Sequence, residues 1–363
     1  MFGKRRVYLD TAAGKAANSS SPHLEGRTAK AMLESARTAI ARLLEVQSDD
    51  IIFTSGATEA NALAILGLLK EGDHALYLPS AHASVVENMQ LLRTCGVHID
   101  ELPVKDARVD CEKLTELLRP ETKLVVMDAV CGETGVVWNT REVAETLRGS
   151  SALLHVDASQ APLTQKITRA HFGADMLTLD ASKVGIYRGM GLLVAHRTIS
   201  LAPLYVGGGQ ERGLRSGSVS PEHAREFAKD LAAVAAGREP FVARAQKDRK
   251  RLVDRISNAI ARVYITGGRS QAPNIINLSL PGRDTDYLVA LLDEAGFAVS
   301  TRSACETDSE EGSRAVFALT GDLEKAKATL RISWNASVSS SDLDRFARAL
   351  EQSVAFIDRT ARR

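Results

Sequence analysis

The sequence predicts an α/β protein with a large unit built on a mostly parallel seven-stranded sheet, followed by a smaller α+β unit. Three observations lead there. Seven short apolar runs alternate with helical patterns between about residues 50 and 200, the order expected of a parallel sheet with covered faces. The pattern then changes from about residue 264, after a long charge-laced helical stretch. Finally, 363 residues exceed what one core usually holds, since single cores stop growing near roughly 250–300 residues.

The strand-like runs are, in order, Ile51 to Phe53, His74 to Leu78, His98 to Val104, Leu124 to Val130, Ala152 to Val156, Met176 to Leu179 and Gly191 to Ala195. Helical stretches such as Glu59 to Lys70, Ser84 to Arg93, Cys111 to Leu118 and Thr140 to Arg148 lie between them. After the turn Gly207-Gly208-Gly209, a helical segment runs from about Pro221 to Val263, basic in its second half but with acids interspersed, as in a solvated helix face. Strands near Asn274 to Leu280 and Ala328 to Ser333, with helices at Asp286 to Ala295 and Ser341 to Phe356, make up the second unit. The large unit is assigned to residues 10–245 and the small one to 246–363, with residues 1–9 as candidates to pack on the latter.

Charge excludes some classes of partner. With 46 Lys+Arg against 45 Asp+Glu, no global field recruits nucleic acid or an anionic membrane. The basic start Met1-Phe2-Gly3-Lys4-Arg5-Arg6 has no apolar stretch behind it, and no run approaches the ~18 apolar residues of a membrane helix, so a cytoplasmic protein is expected. Four scattered cysteines form neither a disulfide framework nor a metal site.

The chemistry concentrates at the ends of the apolar runs. Asp157 ends one in Leu154-His155-Val156-Asp157, and Lys183 follows another in Leu179-Asp180-Ala181-Ser182-Lys183. Ligands of such sheets bind beyond the carboxyl ends of the strands, so the two residues share a destination. A lysine that can carry a carbonyl cofactor as a Schiff base, and an acid that can hold a pyridinium proton, are what pyridoxal phosphate chemistry needs. In Ser55-Gly56-Ala57-Thr58-Glu59, a turn opens a helix that Ser55 or Thr58 could simply cap; beside Lys183 and Asp157, the better reading is an anion cradle of free N–H groups, with Ala57 and the Thr58 hydroxyl at its mouth. His82 follows a strand, where its ring either caps the next helix or stacks on a cofactor and moves protons. Gln160, just past Asp157, is placed to bond a ring hydroxyl. Arg331, in a strand of the second unit, is a candidate clamp for a substrate carboxylate. Cys305 lies among polar and small residues, unlike a core cysteine, and reads as a reactive thiol.

Together these residues resemble the cysteine desulfurases, within the class V aminotransferase group of pyridoxal phosphate enzymes. The resemblance spans nearly the whole chain. It is carried by Tyr8-Leu9-Asp10, Ser20-Ser21-Pro22-His23, the run Phe53 to Glu59, Glu133-Thr134-Gly135-Val136-Val137, the run His155 to Gln160, the glycine–arginine run Gly207 to Ser218, the run Ala272 to Asn277, and Ser303-Ala304-Cys305. It implies the fold-type I transferase architecture and pyridoxal 5'-phosphate as cofactor. Lys183 then carries the cofactor, Asp157 pairs with its ring nitrogen, His82 stacks on the ring and Gln160 bonds its hydroxyl. Thr58, with Ala57 and Ser182, holds the phosphate, and Ser218 reaches it from the other subunit of a homodimer. Arg331 and Cys131 meet the substrate L-cysteine. Cys305 takes its sulfur as a persulfide, leaving alanine, for transfer to an iron–sulfur scaffold or tRNA-thiolation protein.

Three departures from the family pattern stand out. Ser182 replaces the histidine usual before the lysine, and Cys131-Gly132 replaces Asn-Asn, a loss of one donor worth about 0.5–1.5 kcal/mol. The stretch Gly185-Ile186-Tyr187-Arg188-Gly189 replaces Tyr-Gly-Pro-Lys-Gly. A selenocysteine lyase, another aminotransferase-like enzyme and a weakened sulfur-relay protein are the alternatives; Cys305 on its polar loop favours cysteine.

Overall fold

Seven strands form one sheet: β1 (Ile51–Thr54), β2 (His74–Tyr77), β3 (His98–Glu101), β4 (Thr122–Asp128), β5 (Leu153–Asp157), β6 (Met176–Asp180) and β7 (Gly191–Ala195). Their order is β1-β7-β6-β5-β4-β2-β3. Neighbours from β3 to β6 pair parallel, and β7 runs antiparallel to both β6 and β1. The structure is a computed structural model and describes residues 7–14, 17–301 and 312–360. Strands β4, β5 and β7 are buried at nearly every position, which a sheet covered on both faces requires.

The sheet's helices are α1 (Leu24–Leu44), α2 (Ala57–Leu66), α3 (Ala83–Thr94), α4 (Cys111–Leu117) and α5 (Thr140–Thr146). The sequence reading left α1 unassigned, although Leu33, Ala36, Ile40 and Leu44 recur at helical spacing and are buried. It packs along α6 (Pro221–Ala259). The strand expected from His98 to Val104 is also shorter. Pro103 cannot donate to the ladder, and the chain turns back at Asp106 and Ala107, both with positive φ, in a two-residue hairpin of Val104–Lys105 with Arg108–Val109.

A second core forms around three antiparallel strands, β8 (Tyr264–Thr266), β9 (Ile275–Ser279) and β10 (Thr329–Ser333), in that order. Against it lie α7 (Thr285–Glu294) and α9 (Ser340–Thr360), with α8 (Arg314–Thr320) between them in the chain. Leu343, Phe346, Leu350, Val354 and Ile357 line the buried stripe of α9 at intervals of three and four. The long helix α6 serves both cores: Ala224, Phe227 and Leu231 belong to the first, while Phe241, Leu252 and Ile256 belong to the second. Pro240, which removes one helical hydrogen bond, sits at that transition. At the amino-terminal side, Tyr8 packs edge-on against His23 at the start of α1.

One buried ion pair fastens the glycine-rich run to this frame. Arg37 of α1 grips Glu211 through two nitrogens at 2.7 and 2.8 Å, and Glu211 also accepts the Phe53 N–H at 2.7 Å. The Glu211 side chain is 3% exposed. Removing one partner of such a pair leaves an uncompensated buried charge. Arg37→Leu should therefore lower unfolding free energy by about 3–5 kcal/mol in urea titration, whereas Arg119→Ala, which breaks the more exposed pair with Asp100, should cost under about 1 kcal/mol. Equal small effects would show that Glu211 is not clamped.

Candidate cofactor and substrate site

The carboxyl ends of β4, β5 and β6 open on a cavity of about 280 Å³. Of the residues singled out from the sequence, Ala57, Thr58, His82, Cys131, Asp157, Gln160, Lys183 and Arg331 all line it. Parallel strands explain the convergence, because each delivers its last residue and the following turn to the same edge. Lys183 closes a short turn after β6, Ala57 and Thr58 open α2, and His82 caps α3. Arg331 arrives from the second core on β10. A larger hollow of about 620 Å³ lies between Ser19–Pro22, α1 and the run Gly209–Arg212, but it holds none of these residues.

Asp157 is 8% exposed and held from two sides. Its Oδ1 accepts the Ser159 N–H at 2.9 Å and its Oδ2 accepts Asn61 Nδ2 at 2.7 Å. Asn61, fully buried on α2, also donates to Ser84 Oγ at 3.0 Å and accepts from His155 Nε2 at 3.0 Å. Burial pushes His155 well below the usual imidazole range despite the opposing pull of Asp157, so its neutral ring donates to Asn61. The network reaches His82, whose Nδ1 accepts the Ser84 N–H at 3.1 Å and lies 2.9 Å from Ser84 Oγ. In the neutral ring this puts the proton on Nε2.

Arg331 Nη1 donates to the Gly132 carbonyl at 3.3 Å, and its backbone exchanges hydrogen bonds with Ser300. Gly132 leaves room for Gln160: a side chain there would come within 3.0–3.3 Å of it. Cys131 is buried in the cavity wall, its sulfur accepting the Thr134 N–H at 3.5 Å. Burial, then the neighbouring Asp128, pushes its thiol up to about 11. A neutral thiol engaged by backbone is a weak substitute for an amide donor. Cys305 lies outside the described residues.

The anion cradle differs from its sequence reading. Ser182 was expected to help hold a phosphate. Its Oγ instead donates to Asp180 Oδ1 at 2.6 Å, its N–H donates to the same oxygen at 2.8 Å, and it is absent from the cavity wall. Asp180 Oδ2 accepts the Ala57 N–H at 2.8 Å. Ser218 is exposed and does not line this cavity, which leaves its expected reach toward a second subunit without a partner in the single chain described.

Sequence reasoning also missed Asn61, Asp128, Asp180 and Arg314. Asn61 carried one signal, an amide in the otherwise apolar run Ala60-Asn61-Ala62-Leu63-Ala64. Asp128 sat inside a run read as continuous strand. Burial, then the charge of Asp157, pushes its carboxyl well above the usual range, against the His82 backbone N–H.

These residues fit pyridoxal phosphate. Ser80 Oγ, Ser159 Oγ and Asp128 Oδ1 are buried and find no hydrogen-bond partner among the described residues, and all three residues line the cavity. Polar atoms of this kind in a cavity wall are available to hydrogen-bond a ligand there. A primary amine for a carbonyl, an acid for a ring nitrogen and a helix start for a phosphate stand around them.

Comparison with known proteins agrees. Residues 6–346 match the aminotransferase class-V family. The chain is 33% identical to cysteine desulfurase IscS 1 of Archaeoglobus fulgidus, covering 92% of this chain and 88% of that one. It is 30% identical to a putative cysteine desulfurase IscS 1 of Bacillus subtilis, covering 91% and 93%. A solved structure described as a NifS-like protein superposes with a TM-score of 0.87 at 26% identity, covering 97% of each chain. The chain belongs to the class V aminotransferase family.

The Cys131 environment has a measurable consequence. With its thiol at about 11, roughly one molecule in a thousand carries the thiolate at pH 8. Site-resolved alkylation of the native protein at pH 8 should mark exposed Cys95 readily and Cys131 only after unfolding. Labelling of Cys131 at the rate of Cys95 would contradict the buried, neutral assignment.

Proposed function

We propose that this class V aminotransferase family member is a cysteine desulfurase, removing sulfur from L-cysteine to give L-alanine and a persulfide on Cys305. The observation that carries the reading is the single cavity into which Lys183, Asp157 and His82 project from one core and Arg331 from the other. Enzymes of this family depend on pyridoxal phosphate. When bound, that cofactor supplies the electron sink that lets bonds at the substrate's α and β carbons break.

The chain's own residues do the rest. Lys183 Nζ is the covalent anchor for the cofactor and the base placed to move the substrate's Cα proton. Asp157, fixed by Asn61 and Ser159, keeps a proton on the ring nitrogen. His82 covers the ring, with its Nε2 proton set by Ser84, and Gln160 supports the ring hydroxyl. Thr58 and the α2 start receive the phosphate, with Ser218 of a second subunit completing that contact in a homodimer. Arg331 binds the substrate carboxylate through a charge-assisted pair. Cys305 attacks the substrate sulfur: an S–S bond forms as the Cβ–S bond breaks, and alanine departs. The terminal sulfur of the persulfide then passes to a sulfur-acceptor protein, an iron–sulfur scaffold or tRNA-thiolation factor, and the reading takes this to happen in the cytoplasm. Among the described residues, no helix is long and apolar enough to cross a membrane.

The test is a cysteine turnover assay with alanine and bound sulfane sulfur quantified. The wild-type protein with pyridoxal phosphate should form both, and Lys183→Ala should abolish turnover. Arg331→Ala should raise KM for cysteine about 10- to 100-fold, the worth of a charged hydrogen-bonded contact. Cys305→Ala should lose sulfane sulfur and keep the bound cofactor's absorbance. Alanine formation by Cys305→Ala at the wild-type rate would sink the reading.

A further inference from the structure

The phosphate cradle already contains an anion belonging to the chain. Asp180, the last residue of β6, holds three donors: the Ala57 N–H at the start of α2 at 2.8 Å and, from the turn that follows β6, the Ser182 N–H at 2.8 Å and the Ser182 hydroxyl at 2.6 Å. Its backbone is locked, because Asp180 pairs with Gly191 across the β6–β7 ladder. The surrounding backbone is equally tight. A side chain on Gly191 would come within 2.6 Å of Gly56, and one on Gly56 within 3.2 Å of Asp180 Oδ2. The carboxylate therefore sits where the positive end of the α2 dipole and its free N–H groups favour negative charge.

A phosphate carries about −1.5 to −2 charges at neutral pH and needs the same donors. To take the Ala57 N–H and the Ser182 hydroxyl, it must turn the Asp180 side chain away and then remain next to it. Both steps oppose binding at the phosphate end alone. They leave the Lys183 and Asp157 ends of the cavity untouched.

We propose that Asp180 is an intramolecular competitor for the cofactor's phosphate, so that this protein grips pyridoxal phosphate mainly by its ring and aldehyde and prefers it only weakly over phosphate-free pyridoxal. The proposal rests on the cofactor assignment made above and adds a specificity-determining residue to it.

Titration of the apoprotein separates the two. Dissociation constants for pyridoxal 5'-phosphate and for pyridoxal are measured by visible absorbance and protein fluorescence on the wild type, Asp180→Asn and Asp180→Ser. The wild type should prefer pyridoxal phosphate over pyridoxal by no more than about tenfold, because the charge of the phosphate meets a like charge. Both variants should bind pyridoxal phosphate at least about tenfold tighter, with pyridoxal changed by less than about twofold. Inorganic phosphate should compete with pyridoxal phosphate more strongly in the variants than in the wild type. A wild-type preference for the phosphorylated form above about a thousandfold, expected of an unopposed cradle, overturns the proposal while leaving the cofactor assignment standing; this arm requires no variant to fold. Variants that bind pyridoxal phosphate no tighter, or gain equally for both ligands, overturn it too. Failure of the wild type to bind either compound removes the cofactor assignment and the proposal with it.

Discussion

Strands β4, β5 and β6 are neighbours, and each ends in an aspartate: Asp128, Asp157 and Asp180. Asp128 and Asp157 stand opposite each other in register, across strands spaced about 4.8 Å apart. Two ionised carboxylates at about 4 Å repel by about 4 kcal/mol at an effective dielectric of 20, and the charge of Asp157 is one of the causes that raise the Asp128 carboxyl. The fold resolves the conflict by giving each acid a different environment. Asp128 is buried with one oxygen lacking a partner, and its carboxyl is pushed toward the protonated form. Asp157 accepts an amide and a backbone N–H. Asp180 sits on the α2 start.

Helix α2 is what makes that distribution workable. Its first backbone N–H meets Asp180, and Asn61, one turn later on the same face, meets Asp157. The opposite side of the same turn faces outward to the 205–215 segment, where Glu59 Oε1 accepts from Tyr205 and from Arg215 Nε. Arg37 and Glu211 then tie that segment to α1 and β1. A ten-residue helix thus couples the acids of the site to the glycine-rich run that carries Ser218. Its stability comes from those tertiary contacts, since isolated helices of such length are marginal in water.

The sequence disclosed the parts of this arrangement that depend on local pattern. Apolar runs gave the strands, and a polar residue at the end of each run gave His82, Asp157 and Lys183. The missing parts depend on distance in the chain. Asn61 and Asp157 are 96 positions apart, and Ala57 and Asp180 are 123 apart; no periodicity links them. Ser182 illustrates the same limit. Next to the lysine it looked free to hold a phosphate, but an aspartate two residues back captured its hydroxyl. Asp128 was hidden because burial makes an acid at a strand end resemble strand interior. Helix α1 carries its helical spacing but precedes the first strand, outside the alternation of strands and helices that marks the large unit.

The second core contributes through β10, and its geometry explains why one strand can serve two tasks. Arg331 projects from it to the Gly132 carbonyl at the cavity wall, while its backbone pairs with Ser300. Two positions earlier on the strand, Thr329 Oγ1 donates to the Thr301 carbonyl. The far end of the Cys305 segment is fastened just before the strand, where Ser313 N–H donates to the Ala326 carbonyl at 2.8 Å. Gly312 allows that approach, since a side chain there would come within 2.7 Å of the Ala326 backbone. The described residues on both sides of positions 302–311 are therefore hydrogen-bonded on or beside the strand that carries Arg331. Any shift of β10 relative to the large sheet would move Arg331 and these flanks together. That shared mounting ties Thr301 and Ser313 to the strand that sends Arg331 into a cavity built largely by the other core.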